Sequence, residues 1–329
     1  MLKRIKAVML GHAVGDALGV PVEFCSREEL ELDPVTDMRG WGSYPVPEGC
    51  WSDDTSMSLA TLESLKEGEV DYDRIMQGFV AWYSCNEYTP TGVVFDIGRT
   101  CLRAIQNYMK GDKAALQCGL DGERSNGNGS LMRIHPMALY LYCKGVPTDE
   151  AIEIIHATSA LTHAHERSVV ACGIYAFILW ALLDETGENK NAVRCGIKRA
   201  MKYYDGSAEL KIYMEGLAKR IAGAHPSLED KGLFVYENRN RIKSSGYVVD
   251  TLEAAIWCLL TTKDYKSCVL KAVNLGDDTD TIAAIAGGLA GAMYGLDGIP
   301  KKWLSTLKKR RYIEKMCEDA YASWKAKVV

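Results

Sequence analysis

Apolar residues return at intervals of three and four along most of the chain, the spacing that lays one hydrophobic face along a helix. It predicts helices over 3–17, 54–67, 71–86, 95–109, 130–143, 148–157, 164–184, 189–203, 208–222, 250–262, 264–274, 280–294, 300–308 and 310–326. Turn signals such as Glu67-Gly68, Lys110-Gly111-Asp112 and Lys144-Gly145-Val146-Pro147 punctuate them. No segment alternates apolar and polar residues for long between hairpin turns, so no large sheet is expected. Loop-like stretches collect at 20–52, 87–94, 118–129 and 226–249, and loops on a rigid frame are where binding residues gather. At the end of the first helix, Gly19 is expected to take a left-handed cap and Pro21 to stop the helix, leaving Glu23 in an irregular loop.

Composition narrows the class. Of 329 residues, 47% are hydrophobic, enough for a sizeable core. The formal net charge of −4 argues against a general nucleic-acid binder, which would carry a basic face. The 11 cysteines are odd in number and form no CxxC pair, which reads as reduced thiols in a cytoplasmic protein. The N-terminal stretch carries His12 and Asp16 and does not read as a signal peptide. The apolar runs around Val169–Leu183 and Ile282–Met293 are short of the ~20 residues that cross a bilayer, or broken by polar residues. No membrane contact is expected.

Two acidic clusters stand out, one near each end of the chain. Ser52-Asp53-Asp54-Thr55 precedes one apolar helix, and Asp277-Asp278-Thr279-Asp280-Thr281 precedes another. Ser and Asp cap helices and favour the positive end of the helix dipole, but a single cap needs one such residue rather than three. Carboxylates and hydroxyls this dense suit hard cations such as magnesium or manganese. If the clusters meet, they could hold two ions about 3.5–4 Å apart, a geometry suited to hydrolysis. A site built from both ends implies one domain over residues 1–329.

Other motifs are weaker alone. Ser125-Asn126-Gly127-Asn128-Gly129 is a glycine-rich loop that reads into a helix, where free N–H groups attract phosphate; it could equally be an Asn-Gly turn with a Ser cap. Asp96 is a cap or a carboxylate aimed into a site. His163 and His165 are two apart and diverge on a helix, so helical zinc ligation is not expected.

Together, GDALGVPVEF at 15–24, WSDDTSMSLA at 51–60, FDIGRTC at 95–101, NGNGSLMR at 126–133, LTHAHERS at 161–168, SGYVVDTLEAAIWCLL at 245–260 and NLGDDTDTIAAIAGGLAGAMYG at 274–295 closely resemble the ADP-ribosylglycohydrolases. That family includes dinitrogenase reductase-activating glycohydrolase. The resemblance implies an all-α orthogonal bundle with a binuclear magnesium or manganese site in a central cleft. It implies Ser52, Asp53, Asp54, Asp278, Asp280 and Thr281 as metal ligands. Glu23 corresponds to the family's substrate-gating acid and Asp96 to an acid near the scissile bond, with Asp54 a further candidate for taking a proton from water. Ser125 through Gly129 correspond to the phosphate- and ribose-binding loop, His163 to a His near the ribose, and Tyr247 to an aromatic beside the adenine. Asp277 is an extra acid where relatives more often have glycine.

The implied reaction is metal-dependent removal of ADP-ribose from a modified side chain, arginine first, by cleavage at the distal ribose. The implied partner is a protein or small molecule carrying ADP-ribose. Two other readings are a non-catalytic ADP-ribose binder or crystallin-like member, and a binuclear-metal hydrolase of a free ADP-ribose-containing nucleotide.

Overall fold

The computed structural model describes residues 1–184, 190–205 and 238–326. Among them the regular structure is helical: α1 (Leu2–Gly19), α2 (Arg27–Leu32), α3 (Asp53–Ser64), α4 (Tyr72–Cys85), α5 (Arg99–Met109), α6 (His135–Lys144), α7 (Thr148–Ala160), α8 (Glu166–Asp184) and α9 (Lys190–Tyr204). The chain continues as α10 (Val248–Thr261), α11 (Tyr265–Val273), α12 (Thr279–Tyr294), α13 (Lys301–Thr306) and α14 (Arg310–Ala326). Short 3₁₀ turns and two isolated β-bridges, Leu120–His163 and Gly127–Tyr247, complete the pattern. The all-α expectation therefore holds. The helix expected over 208–222 lies outside the described residues.

The central pair is α1 and α12, drawn from opposite ends of the chain. Small residues let their backbones nearly touch. A Cβ on Gly15 would lie 2.0 Å from the Ala283 carbonyl oxygen, and one on Gly11 would lie 2.5 Å from that of Gly287. Both helices are buried on almost every face, with α8, α10 and α11 packed against α12 and with α3 and α14 against α1. Helices α1 and α8 are long and apolar enough to cross a bilayer, but each is mostly enclosed by protein, as all-round hydrophobic core helices are.

Several boundaries differ from the sequence pattern. Gly19 stays in the right-handed helical region at φ −82°, and the chain runs on into a 3₁₀ turn, Val20–Val22, which contains Pro21. Gly19 is needed for contact rather than for a left-handed cap: a Cβ there would lie 2.3 Å from the Asp280 backbone. Helix α5 starts at Arg99, because Phe95–Gly98 stays non-helical and the Gly98 N–H donates to Asp53 Oδ2 at 3.3 Å. Helix α6 starts at His135, with Pro136 in its first turn and a run of turns before it. Helix α2 lies in a stretch that reads as loop and is capped at its N-terminus by a reciprocal Ser26–Glu29 capping box.

Candidate functional site

The two acidic clusters meet. Asp16, fully buried on α1, accepts from the Ser52 N–H at 2.9 Å, the Thr55 N–H at 3.0 Å and the Thr55 hydroxyl at 2.6 Å. It thereby pins the start of α3. Ser52 caps that helix through the Asp54 N–H at 3.3 Å. On the other side, the Thr279 hydroxyl donates to the Gly19 carbonyl at 2.9 Å and pins the start of α12. The hydroxyls of Ser52 and Thr281 both donate to Asp54 Oδ2, each at 3.2 Å, so one carboxylate joins clusters 227 residues apart. Asn128 donates to Asp278 Oδ2 at 2.7 Å and to the Thr251 hydroxyl at 2.9 Å, bringing the glycine-rich loop to the same place.

Above this junction lies a cleft of about 410 Å³, bordered by Glu23, Asp53, Asp96, Asp278 and Thr281. Ser52, Asp54 and Asp280 lie beneath it, buried. One oxygen each from Glu23, Asp278 and Asp280 falls within 4.8 Å of the others. Asp54 Oδ1, Asp278 Oδ1 and Asp280 Oδ2 are buried with no hydrogen-bond partner among the described residues. Burial first, and then the neighbouring carboxylates, hold Asp53, Asp54 and Asp280 well above the usual carboxylate range. Glu23 is pushed up to about 9 by burial and by the charge of Asp96. Orphaned buried oxygens crowded against like charges are what an oxygen-preferring divalent cation relieves, and the donor set contains no sulfur or imidazole. The residues fit such a cation.

The rest of the cleft includes the glycine loop, an imidazole, Arg99 and Arg124. Gly127, Asn128, Gly129 and His163 line it. A Cβ on Gly129 would lie 2.7 Å from the Cys101 sulfur and 2.8 Å from His163 Cε1, so the loop has room only for glycine there. The buried Arg133 donates to the Thr162 hydroxyl at 2.8 Å, and that hydroxyl lies 2.9 Å from His163 Nδ1. Where that hydroxyl donates to Nδ1, the neutral ring carries its proton on Nε2. Burial, with the Arg133 charge, pushes His163 down to about 3, so the ring is neutral.

The remaining expected residues sit elsewhere. Ser125, Asn126 and Tyr247 do not border the cleft. Asn126 is buried and donates to the Glu123 carbonyl, while its own carbonyl accepts from the Val248 N–H at 3.0 Å. Tyr247 forms the bridge opposite Gly127 and packs partly into the core. Because α6 begins at His135, the glycine-rich loop does not run straight into a helix start, and the expected helix-terminus phosphate seat after Gly129 is absent there. Asp277 turns away from the cleft. It is exposed, sits at φ +59°, and accepts from the Ser244 hydroxyl at 3.1 Å. His165 lies against Glu123, 3.3 Å away.

Two residues escaped sequence reasoning. Asp16 lies inside an apolar helical run whose pattern marks it only as an interruption. Tyr44 sits in an irregular stretch without a motif, yet its ring packs against Phe24 and Phe95, the neighbours of Glu23 and Asp96.

An all-helical frame holding an oxygen-rich acidic cleft beside a glycine loop suits a class of hydrolases. Within it, the profile of the ADP-ribosylglycohydrolase family matches residues 1–328, and the chain belongs to that family. It is 32% identical to ADP-ribosylarginine hydrolase Tri1 of Serratia proteamaculans (strain 568), over 97% of this chain and 79% of that one. It is 33% identical to ADP-ribosyl-[dinitrogen reductase] glycohydrolase of Rhodospirillum rubrum, over 92% of this chain and 90% of that one. A solved structure described as an ADP-ribosylglycohydrolase-related protein complex superposes with a TM-score of 0.76 at 28% identity, covering 98% of each chain. The chain is thus a glycohydrolase by family and fold.

Proposed function

We propose that this protein hydrolyses the glycosidic bond between the distal ribose of ADP-ribose and a modified side chain, with the arginine guanidine as the preferred leaving group. The carrying observation is the convergence of Glu23, Asp53, Asp54, Asp96, Asp278 and Asp280 on one cleft beside the Gly127–Gly129 backbone. The arginine linkage rests on the relatives whose names carry ADP-ribosylarginine and dinitrogen reductase. The substrate would be a protein or small molecule carrying ADP-ribose.

Two divalent cations, magnesium or manganese, would be held by Ser52, Asp53, Asp54, Asp278, Asp280 and Thr281, with Glu23 adjoining. When bound, they supply positive charge that offsets the clustered carboxylates and acidifies nearby hydroxyl groups. The protein's own groups do the remaining work. Cleavage at an anomeric carbon passes through an oxocarbenium-like state, and the carboxylates of Asp96 and Glu23 at the cleft border place negative charge beside it. One of Asp96, Glu23 or Asp54 takes the proton of the attacking water. The neutral His163 offers Nε2–H as a donor to a ribose oxygen. The backbone around Gly127 and Gly129 admits the pyrophosphate closely, while Ser125, Asn126 and Tyr247 shape that wall from behind. The chain acts as one domain over residues 1–329, in the cytoplasm, where its 11 free cysteines stay reduced.

The test is ADP-ribose release from arginine-, serine- and nucleotide-linked substrates, with magnesium or manganese and with chelator. Chelator-sensitive release from the arginine linkage is expected, and Asp278→Ala should stay folded while losing about 10²-fold or more of turnover. Near-normal turnover in that variant with manganese supplied would sink the assigned site. Tight ADP-ribose binding without turnover on any linkage would make the protein a binding module instead.

A further inference from the structure

Two acids at the cleft border come from chain segments without regular structure, Glu23 just after a 3₁₀ turn and Asp96 just before α5. They repel one another: each lies in a cleft crowded with like charges, and the charge of Asp96 is among the influences that raise Glu23. Nothing in helix geometry holds such a pair together.

A third segment does. Tyr44 places its ring against Phe24, the residue after Glu23, with centroids 6.5 Å apart. The same ring packs on Phe95, the residue before Asp96, at 5.0 Å. Its hydroxyl lies near enough to both carboxylates to lower each of them. The loop that carries Tyr44 is itself fastened to the Glu23 segment. The Ser43 N–H donates to the Pro21 carbonyl at 2.9 Å, and the Ser43 hydroxyl donates to the Glu23 carbonyl at 2.5 Å. A Cβ on Gly42 would lie 1.7 Å from the Pro21 oxygen, so this approach requires glycine. On the far side, Phe24 sits at φ +68°, a strained conformation for an aromatic residue, and its N–H donates to the Asp277 carbonyl at 2.7 Å. In return the Asp277 N–H donates to the Cys25 carbonyl at 2.8 Å. The extra acid of the second cluster thus belongs to the scaffold that backs Glu23.

We propose that Tyr44 is a positioning residue that clasps Glu23 to Asp96, the ring holding the two loops and the hydroxyl donating its one hydrogen to one carboxylate while accepting from the other acid when that acid is protonated. This rests on the reading of the cleft as a hydrolytic metal site. Glu23 also lies within the three-oxygen group with Asp278 and Asp280, so the clasp should set cation affinity as well as turnover.

The experiment compares wild type, Tyr44→Phe and Tyr44→Ala by manganese binding in calorimetry, by kcat and KM on an ADP-ribosylated arginine substrate, and by thermal unfolding. Tyr44→Phe keeps both ring contacts and loses only the hydroxyl. Loss of a hydrogen bond to charged groups should lower kcat about ten- to a hundredfold and weaken manganese binding several-fold, with KM nearly unchanged. Its melting temperature should stay close to wild type, whereas Tyr44→Ala should lose stability as well. Wild-type kcat and manganese affinity in Tyr44→Phe would overturn the proposal. So would a rise in KM alone, which marks a substrate contact. If wild type itself releases no ADP-ribose, the proposed function fails, but the manganese titration still decides the clasp.

Discussion

Asp16 decides where the first acidic cluster points, although it does not border the cleft. Its carboxylate gathers three donors from the first turn of α3, and its own titration is pushed up to about 6 by burial. Removing it strands buried N–H groups, each worth about 1–3 kcal/mol when left without a partner. Asp16→Ala should therefore lower stability in denaturant unfolding by at least that much, and should weaken manganese binding through the displaced Asp53 and Asp54. Normal manganese affinity in a destabilised Asp16→Ala would show that the cluster keeps its aim without the anchor. Asp277 teaches the converse. It is an acid in an acidic run, but its backbone at φ +59° sends the side chain to Ser244. Asn and Asp enter that conformation more readily than most side chains, which fits the residue type found there.

At the scale of elements, the site depends on how closely α1 and α12 approach. Their contact has no room for a methyl group at Gly15, 2.0 Å from the Ala283 oxygen. Gly15→Ala must push the helices apart, and overpacking of this kind costs about 1–3 kcal/mol. The same displacement moves Asp280 and Thr281 away from Asp54. A drop in melting temperature together with weaker cation binding is the expected pair of results. Unchanged binding in a destabilised Gly15→Ala would mean that the clusters are placed by their own loops.

For the whole molecule, the crowded carboxylates make stability depend on pH and cation together. Glu23 is raised from an ordinary 4.5 to about 9 in the folded protein. A raised folded value means that the native state binds the proton more tightly, so this stabilisation is complete below 4.5 and is lost as pH rises toward 9. Asp53, Asp54 and Asp280 shift the same way. With chelator, the melting temperature should fall between pH 5 and pH 8 (about the middle of that window). Manganese competes with those protons, so its stabilisation should widen over the same span, reaching about 2.7 kcal/mol at a hundredfold excess over Kd. Stabilisation by manganese that is equal at both pH values would contradict carboxylate ligation.

Helical periodicity and the two acidic runs are local properties, and both were legible without coordinates. Spacing of three and four marks a buried helix face wherever its partner lies, which is why α1, α8 and α12 appear in the pattern with nearly their true bounds. The oxygen-rich clusters likewise mark, by chemistry alone, a place suited to an oxygen-preferring divalent cation. The motifs around them carried the family resemblance, and the family profile over residues 1–328 bears it out. Tertiary structure decided the rest. Backbone approach at Gly15 and Gly19, rather than any left-handed cap, brings clusters 227 residues apart onto one carboxylate. A single backbone angle turns Asp277 outward while Asp278 and Asp280 face in. Tyr44 acquires its place only because three loops fold over one another, and contacts between loops leave no period in a sequence to be read.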